Sequence, residues 1–252
     1  MNVTFNSPEI EICIDAATPE KTEKEVRAAH LGEVDRIELC DQIELGGTTP
    51  QKQCIEIARN IFPRRNGLIV MIRPRGNNFF FSVKEIRQMH ESIDVAAKAG
   101  ADGVALGALR SAEGIAYTQE LSELITHAHS ANLEVTLHRA FDAIHDQTNA
   151  IEWAKINSVK RILTSGTPWG VNGGPDHSLR RLQEISVLAD GQIEIVAAGG
   201  IDLCCAKKVV TALTDLPSSF SLHIFSGVRI CKNINVKRIK QIREKINQGV
   251  SL

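Results

Sequence analysis

The sequence has 252 residues, of which 29 are basic and 30 acidic, so its formal net charge is −1. This balance provides no field that would hold nucleic acid or an anionic membrane by bulk electrostatics. No stretch approaches the ~18 apolar residues of a membrane helix, and the polar start lacks the basic and apolar segments of a signal peptide. We therefore expect a cytoplasmic protein, a single domain over residues 1–252, that handles small molecules or contacts other proteins.

Eight short apolar runs recur along the chain at intervals of about 25 to 35 residues. They are Glu9 to Asp15, Asp35 to Cys40, Leu68 to Arg73, Gly103 to Gly107, Glu134 to Arg139, Arg161 to Thr164, Ile193 to Ala198 and Leu222 to Phe225. Each interval holds one strand and one returning helix, which predicts parallel strands with helices outside. The pattern therefore predicts an α/β fold, a (β/α)8 TIM barrel, which commonly has ~250 residues around one core.

Helix start signals lie between these runs. The dipeptides Thr18-Pro19 and Thr49-Pro50 each offer an N-cap followed by proline at the first helical position. Ser82 with Glu85 is typical of a capping box. We expect helices to begin at these three places.

Polar residues concentrate at the ends of the predicted strands. In a barrel the carboxyl ends of all eight strands surround one mouth, so these side chains are predicted to form a site. The candidates, in chain order, are Glu11, Cys13, Glu38, Cys40, Arg73, Arg75, His138, Arg139, Asp142, Thr164, Ser165, Gly199, Gly200, His223 and Ser226. A glycine-rich stretch, Thr167 to Asp176, follows the sixth strand and is either an active-site loop or a plain surface loop.

Two Glu-x-Cys units, Glu11-Ile12-Cys13 and Glu38-Leu39-Cys40, lie on neighbouring strands. Side chains alternate along a strand, so inward-facing units would place a carboxylate layer below a cysteine layer. Buried charge is costly unless paired, and we expect Arg73 and Arg139 to be the partners. A structural ion-pair network and a catalytic one are both compatible with this pattern.

His138 is a candidate general acid or base, because imidazole titrates near neutral pH. Asp142 or a neighbouring carboxylate would fix its tautomer, and Glu38 is a second acid/base candidate. A second strand-end histidine, His223, supports a functional role. The alternative is a histidine satisfied within the core.

Cys13 and Cys40 are the one cysteine pair among six that the predicted barrel would bring together. Soft thiolates are the ligands that Cu(I) prefers, so this pair is a candidate copper site. There is no Cys-x-x-Cys motif, and free cysteine also serves as a small buried hydrophobe. Both interpretations stay open.

The turns after the last two strands predict an anion site. Gly199 and Gly200 would expose backbone N–H groups, Ser226-Gly227 would add a hydroxyl, and Arg229 would add charge. Alternatively, the glycines only permit a tight turn.

Several motifs in fixed order resemble the signature segments of the copper homeostasis protein CutC family, which is unrelated to the choline lyase of the same name. They are Glu11-Ile-Cys13, Arg36-Ile-Glu38-Leu-Cys40, Gly46-Gly47-Thr48-Thr49-Pro50, Met71-Ile-Arg73-Pro-Arg75-Gly76, Thr136-Leu-His138-Arg139-Ala-Phe141-Asp142 and Leu163-Thr164-Ser165-Gly166. The resemblance implies a cytosolic TIM barrel, a homodimer or higher homo-oligomer, with a proposed part in copper tolerance through copper binding. One departure is Asn77-Asn78, where the family usually has Gly-Asp.

Three functions follow from these observations. The first is copper handling, with Cu(I) on Cys13 and Cys40. The second is an enzyme acting on a small anionic metabolite, with His138 and Glu38 as acid and base and with Arg73 and Arg75 as substrate clamps. The third is a structural or regulatory oligomer. The fold alone does not choose among them, because this scaffold supports many chemistries.

Overall fold

The computed structural model of the protein describes residues 7–109, 119–171 and 173–249. Its strands are β1 Glu9–Asp15, β2 Arg36–Cys40, β3 Leu68–Met71, β4 Gly103–Leu106, β5 Glu134–Leu137, β6 Arg161–Thr164, β7 Glu194–Ala197 and β8 Phe220–Ile224, followed by a small hairpin of β9 Arg229–Ile230 and β10 Asn233–Ile234. Its helices are α1 Pro19–Leu31, α2 Lys52–Ile61, α3 Val83–Lys98, α4 Gln119–Ser130, α5 Gln147–Ile156, α6 Leu179–Ala189, α7 Leu203–Leu213 and α8 Val236–Gly249.

The strands β1 to β8 pair in parallel in sequence order, and β8 pairs with β1 to close the barrel. The predicted (β/α)8 architecture is therefore confirmed. The eighth strand begins at Phe220, two residues before the predicted start, and ends at Ile224. Among the described helices, none has the length and apolarity needed to cross a bilayer.

Two of the three predicted helix starts are confirmed. The Thr18 side chain accepts the Lys21 amide at the start of α1, and Ser82 and Glu85 form a complete capping box at α3. The prediction at Thr49 was wrong, because α2 begins at Lys52. The Thr49 hydroxyl accepts the backbone N–H of Arg73 at 2.8 Å instead, so this threonine fixes the end of the third strand.

The strand register fixes which groups meet inside the barrel. Glu11 lies level with Arg36, and Cys13 lies level with Glu38. The second Glu-x-Cys unit is thus shifted by two residues along its strand relative to the first. The expected separate layers of carboxylates and thiols therefore do not form. As a result, a thiol and a carboxylate share one level of the barrel.

Candidate functional site

The lower half of the barrel interior contains an ion-pair network centred on two arginines. Its members, called the floor network here, are Arg36, Arg161, Glu9, Glu11, Glu134 and Glu194. Arg36 contacts three carboxylates, and its Nη2 atom lies 2.8 Å from Glu194 Oε1. We expected Arg73 and Arg139 to pair with the interior carboxylates, and this was wrong: Arg36, on the same strand face as Glu38, has that role.

Protonation in the floor network follows from these contacts. Burial opposes ionisation of Glu11, but Arg36 and His223 outweigh it and hold the pKa of this carboxyl below its usual range. Burial likewise opposes the charge on Arg36, yet Glu11 and Glu194 raise the pKa of its guanidinium. Glu11 and Arg36 therefore form a charged pair at neutral pH.

Directly above the floor network lies a group of four titratable side chains, called the thiol cluster here: Cys13, Glu38, Cys40 and His223. Single ligand atoms of Cys13, Glu38 and His223 all lie within 4.8 Å of one another. Cys40 joins them, with its Sγ 3.4 Å from Glu38 Oε2. The sequence predicted the two cysteines as a pair, and the barrel adds Glu38 and His223 to them.

His223 connects the thiol cluster to the floor network. Its Nδ1 atom lies 2.5 Å from Glu11 Oε1, and its Nε2 atom lies 3.7 Å from Glu38 Oε2. Burial opposes protonation of His223, but the carboxylates and the Cys13 thiol outweigh it and raise its pKa well above the ordinary value. The hydrogen bond to Glu11 fixes the ring so that Nε2 faces the thiol cluster.

The two thiols differ in acidity. A hydrogen bond from Cys40 lowers the pKa of Cys13 to about 6, helped by His223 and opposed by burial. The same hydrogen bond, together with burial, raises the pKa of Cys40 well above its ordinary value. Burial raises the pKa of the Glu38 carboxyl to about 8. These directions favour the thiolate of Cys13 and the protonated form of His223.

A cavity of about 240 Å³, called the mouth cavity here, opens above the thiol cluster. Its lining includes fifteen residues with side chains and four glycines. Those used below are Cys13, Glu38, Cys40, Met71, Arg73, Phe79, His138, Arg139, Trp169, Gly199, Gly200, His223 and Ser226. Most of the predicted site residues therefore meet in one place.

Arg75, Thr164, Ser165, Asp142 and Glu11 do not line the mouth cavity. Arg75 turns away and contacts Glu85 and Asn78, so the amide that replaces the usual carboxylate holds this arginine in its loop. Its position does not suit the substrate clamp that we expected.

Asp142 does not contact His138, so the expected role in fixing the His138 tautomer was wrong. The Asp142 carboxylate instead pairs with Arg139 and accepts hydrogen bonds from Thr164 and from the Ser165 amide. Asp142 thus neutralises Arg139 at the rim of the mouth, and Thr164 and Ser165 hold the Asp142 carboxylate in position.

The turns after β7 and β8 only partly match the predicted anion site. Gly199 and Gly200 have φ values of 96° and 87°, a conformation that favours glycine, and the space beside Gly200 is open. Arg229, however, is bound to Glu25 and to the Cys13 carbonyl, so its charge is already compensated. Anion binding at the two glycines stays a prediction.

Two aromatic residues at the mouth were not predicted. Phe79 lies in the arginine loop and packs against the His138 ring at 5.2 Å between centroids. Trp169, in the predicted glycine-rich loop, packs edge-on against Phe79 at 4.8 Å and lies over Arg139. One signal was available, because Trp169 is one of only two tryptophans and stands within a polar, glycine-rich segment.

Known proteins resemble this chain over most of its length. A CutC family protein of Enterococcus faecalis is 38% identical over 184 residues, which is 71% of this chain and 85% of that protein. A human protein named copper homeostasis protein cutC homolog is 35% identical over 192 residues, covering 76% of this chain and 65% of its own length. The crystal structure of a putative copper homeostasis protein CutC from Streptococcus agalactiae covers 86% of this chain and 98% of its own, with 26% identity and a TM-score of 0.70. The sequence profile of the CutC family matches residues 9–220, and the chain therefore belongs to the CutC family.

Proposed function

We propose that the thiol cluster binds one Cu(I) ion, with Cys13, Cys40 and His223 as ligands. The observation that supports this most is the convergence of ligand atoms of Cys13, Glu38 and His223 within 4.8 Å, with the Cys40 thiol beside them. Thiolate and imidazole are the ligands that suit Cu(I). The names of relatives that mention copper homeostasis favour this metal.

The surroundings prepare the ligands for a soft cation. Cys13 provides a thiolate near neutral pH, because Cys40 lowers its pKa to about 6. Glu11 orients the His223 ring, in the manner of the carboxylate partners that orient metal-bound histidines. Cys40 and His223 must lose protons on ligation, so metal binding would release protons.

The first prediction is an anaerobic Cu(I) titration against a chromophoric chelator. The wild type should bind one equivalent per chain, and Cys13→Ser with Cys40→Ser should weaken binding by at least tenfold, about 1.4 kcal/mol. The matched control is Cys204→Ser with Cys231→Ser, two exposed cysteines far from the barrel interior, and it should bind like the wild type.

Equal Cu(I) affinity in the wild type and in the Cys13 and Cys40 double variant would remove the thiol cluster as the copper site. The same ligand types also suit tetrahedral Zn²⁺. A parallel titration in which Zn²⁺ binds tightly and Cu(I) does not would replace copper by zinc in this proposal.

A further inference from the structure

Arg73 is a buried cation that no described carboxylate neutralises. Its side chain is 1% exposed. The Nη1 atom donates to backbone carbonyls of the loop before α2, with Gly46 O nearest at 2.9 Å. Among the described residues, Nε and Nη2 have no hydrogen-bond partner at all. A buried guanidinium with two unused nitrogens loses the solvation of water without replacing it.

The two unused nitrogens are not an arbitrary pair. In an arginine side chain, Nη2 is trans to Cδ across the Nε–Cζ bond. One N–H bond of Nη2 therefore points parallel to the N–H bond of Nε, along the same edge of the guanidinium. This edge, called the open fork here, matches the two oxygens of a carboxylate and forms two parallel hydrogen bonds with it. Phe79 packs against the guanidinium plane at 4.6 Å and keeps it in position.

His138 offers a further donor in the lining of the same cavity, and its ring packs against the same Phe79 ring as the Arg73 guanidinium. Its Nδ1 atom accepts the Ala140 amide at 3.2 Å, so the ring proton belongs on Nε2. The Nε2 atom is buried and lacks an acceptor among the described residues. Burial and the nearby Arg73 charge lower the pKa of His138 to about 3, so the ring is neutral and its Nε2–H is a hydrogen-bond donor.

The other arginine of the mouth has a different environment. Arg139 is neutralised by Asp142 and also donates to Ser165 at 3.0 Å. Arg73 is therefore the cation of the mouth cavity whose charge requires an external partner, and the Phe79 ring lies against both Arg73 and His138.

We propose that the mouth cavity binds a small organic carboxylate, held bidentately by the open fork of Arg73 and by the Nε2–H of His138. At about 240 Å³ the cavity is smaller than the ~300–1,000 Å³ of pockets for drug-sized ligands. Met71, Phe79 and Trp169 supply apolar walls. The ligand is therefore a short-chain acid with an apolar body and one carboxylate at Arg73.

This proposal does not depend on copper, so it is tested on metal-free protein. The direct readout is the ¹⁵N–¹H NMR signal of the Arg73 Nε–H, identified by its loss in Arg73→Lys. Propionate titrated at constant ionic strength against chloride should shift this signal saturably. Phosphate, which is tetrahedral, forms the comparison arm for oxyanions that are not carboxylates.

Variants separate the fork from general positive charge. Arg73→Lys keeps the charge but loses the paired donors and the reporting Nε–H, so the affinities of the wild type and all variants are compared by isothermal titration calorimetry. This variant should bind propionate at least tenfold more weakly. His138→Asn keeps an acceptor for the Ala140 amide but loses the imidazole ring with its Nε2–H donor, so a severalfold loss of affinity is expected. The control, Arg75→Lys, lies two residues along the same loop and outside the mouth cavity and should bind like the wild type.

Each outcome decides the proposal. A saturable shift in the wild type that Arg75→Lys retains and His138→Asn weakens supports it, even if Arg73→Lys fails to fold. It is overturned by an Nε–H signal that propionate does not move, by equal affinity in Arg73→Lys, or by binding of phosphate alone.

Discussion

Arg36 at the floor of the barrel and Arg73 at its mouth are equally buried, at 1% exposure each, but their surroundings differ. Arg36 contacts three carboxylates and the Ser221 hydroxyl, and all of its nitrogens are hydrogen-bonded. The Arg73 guanidinium lies against Phe79 and donates hydrogen bonds only to backbone carbonyls, and two of its nitrogens have no partner among the described residues. Arg36 is fully paired within the protein, although Arg161 of the same floor network leaves one nitrogen, Nη1, without a partner among the described residues. Arg73 leaves two nitrogens for the ligand that we propose.

This contrast separates stability from binding within one barrel interior. A buried charge that is fully paired costs little to keep, and removing one member leaves the others uncompensated. A buried charge without a counter-ion contributes little to stability and is retained where it binds something. The paired charges at the amino ends of the strands thus contribute to stability, and the candidate site lies at the carboxyl ends.

The largest expected effect comes from exchanging each arginine for methionine. Arg36→Met should lower the free energy of unfolding by about 3–5 kcal/mol, because Glu11 and Glu194 lose the cation that they share and keep only His223 and Arg161 as partners. Arg73→Met should change it by less than about 1 kcal/mol, since it removes an uncompensated charge together with a few carbonyl contacts. Urea denaturation at neutral pH measures both, and comparable losses in the two variants would contradict the distinction between floor and mouth.

A smaller effect concerns pH. The pKa of His138 is lowered in the folded protein from 6.5 to about 3, so the unfolded chain binds a proton in this interval and the folded one does not. Stability from this group is complete above pH 6.5 and falls by up to ~1.4 kcal/mol per pH unit as the pH drops toward 3.

His138→Asn should remove this contribution and flatten the loss of stability between pH 6.5 and 5. Urea denaturation of the wild type and the variant at several pH values supplies the difference. Parallel curves for the two proteins would mean that His138 is not buried in its neutral form.

The smallest effect is the titration of one thiol in metal-free protein. Cys13 should ionise with a pKa of about 6, visible as thiolate absorbance near 240 nm. Cys40→Ala removes the hydrogen bond that stabilises this thiolate and should move the transition toward the ordinary value for cysteine. Cys13→Ser should abolish it, and a transition near pH 6 that persists in Cys13→Ser would assign the acidic thiol elsewhere.

The local features of the fold were predictable from the sequence, because period and caps are local signals. The eight runs and the capping box at Ser82 and Glu85 needed only neighbouring residues. Ring closure is not local: Arg36 meets Glu194 across 158 positions of the chain, and no spacing rule identifies that pair. For this reason the partners of the interior carboxylates were predicted wrongly although the carboxylates themselves were found.

The candidate site residues on strands and at strand ends were predicted from the sequence, whereas the two aromatic residues that loops bring to the mouth were not. Cys13, Glu38 and His138 follow from strand alternation and strand ends. Phe79 and Trp169 reach the mouth through the conformations of two separate loops, which alternation does not determine. The cytoplasmic location and the homo-oligomer stay predictions.

The position of Trp169 has a practical consequence for following the mouth cavity. Its indole packs against Phe79 and over the Arg139 guanidinium, and its backbone N–H donates to the Asp142 carbonyl at 2.9 Å. The other tryptophan, Trp153, lies on α5 and does not line this cavity. Intrinsic fluorescence of the protein therefore comes from one tryptophan at the mouth cavity and one away from it. In the Trp153→Phe variant all tryptophan emission would come from Trp169, so a change in the emission spectrum would report ligand binding at the barrel mouth.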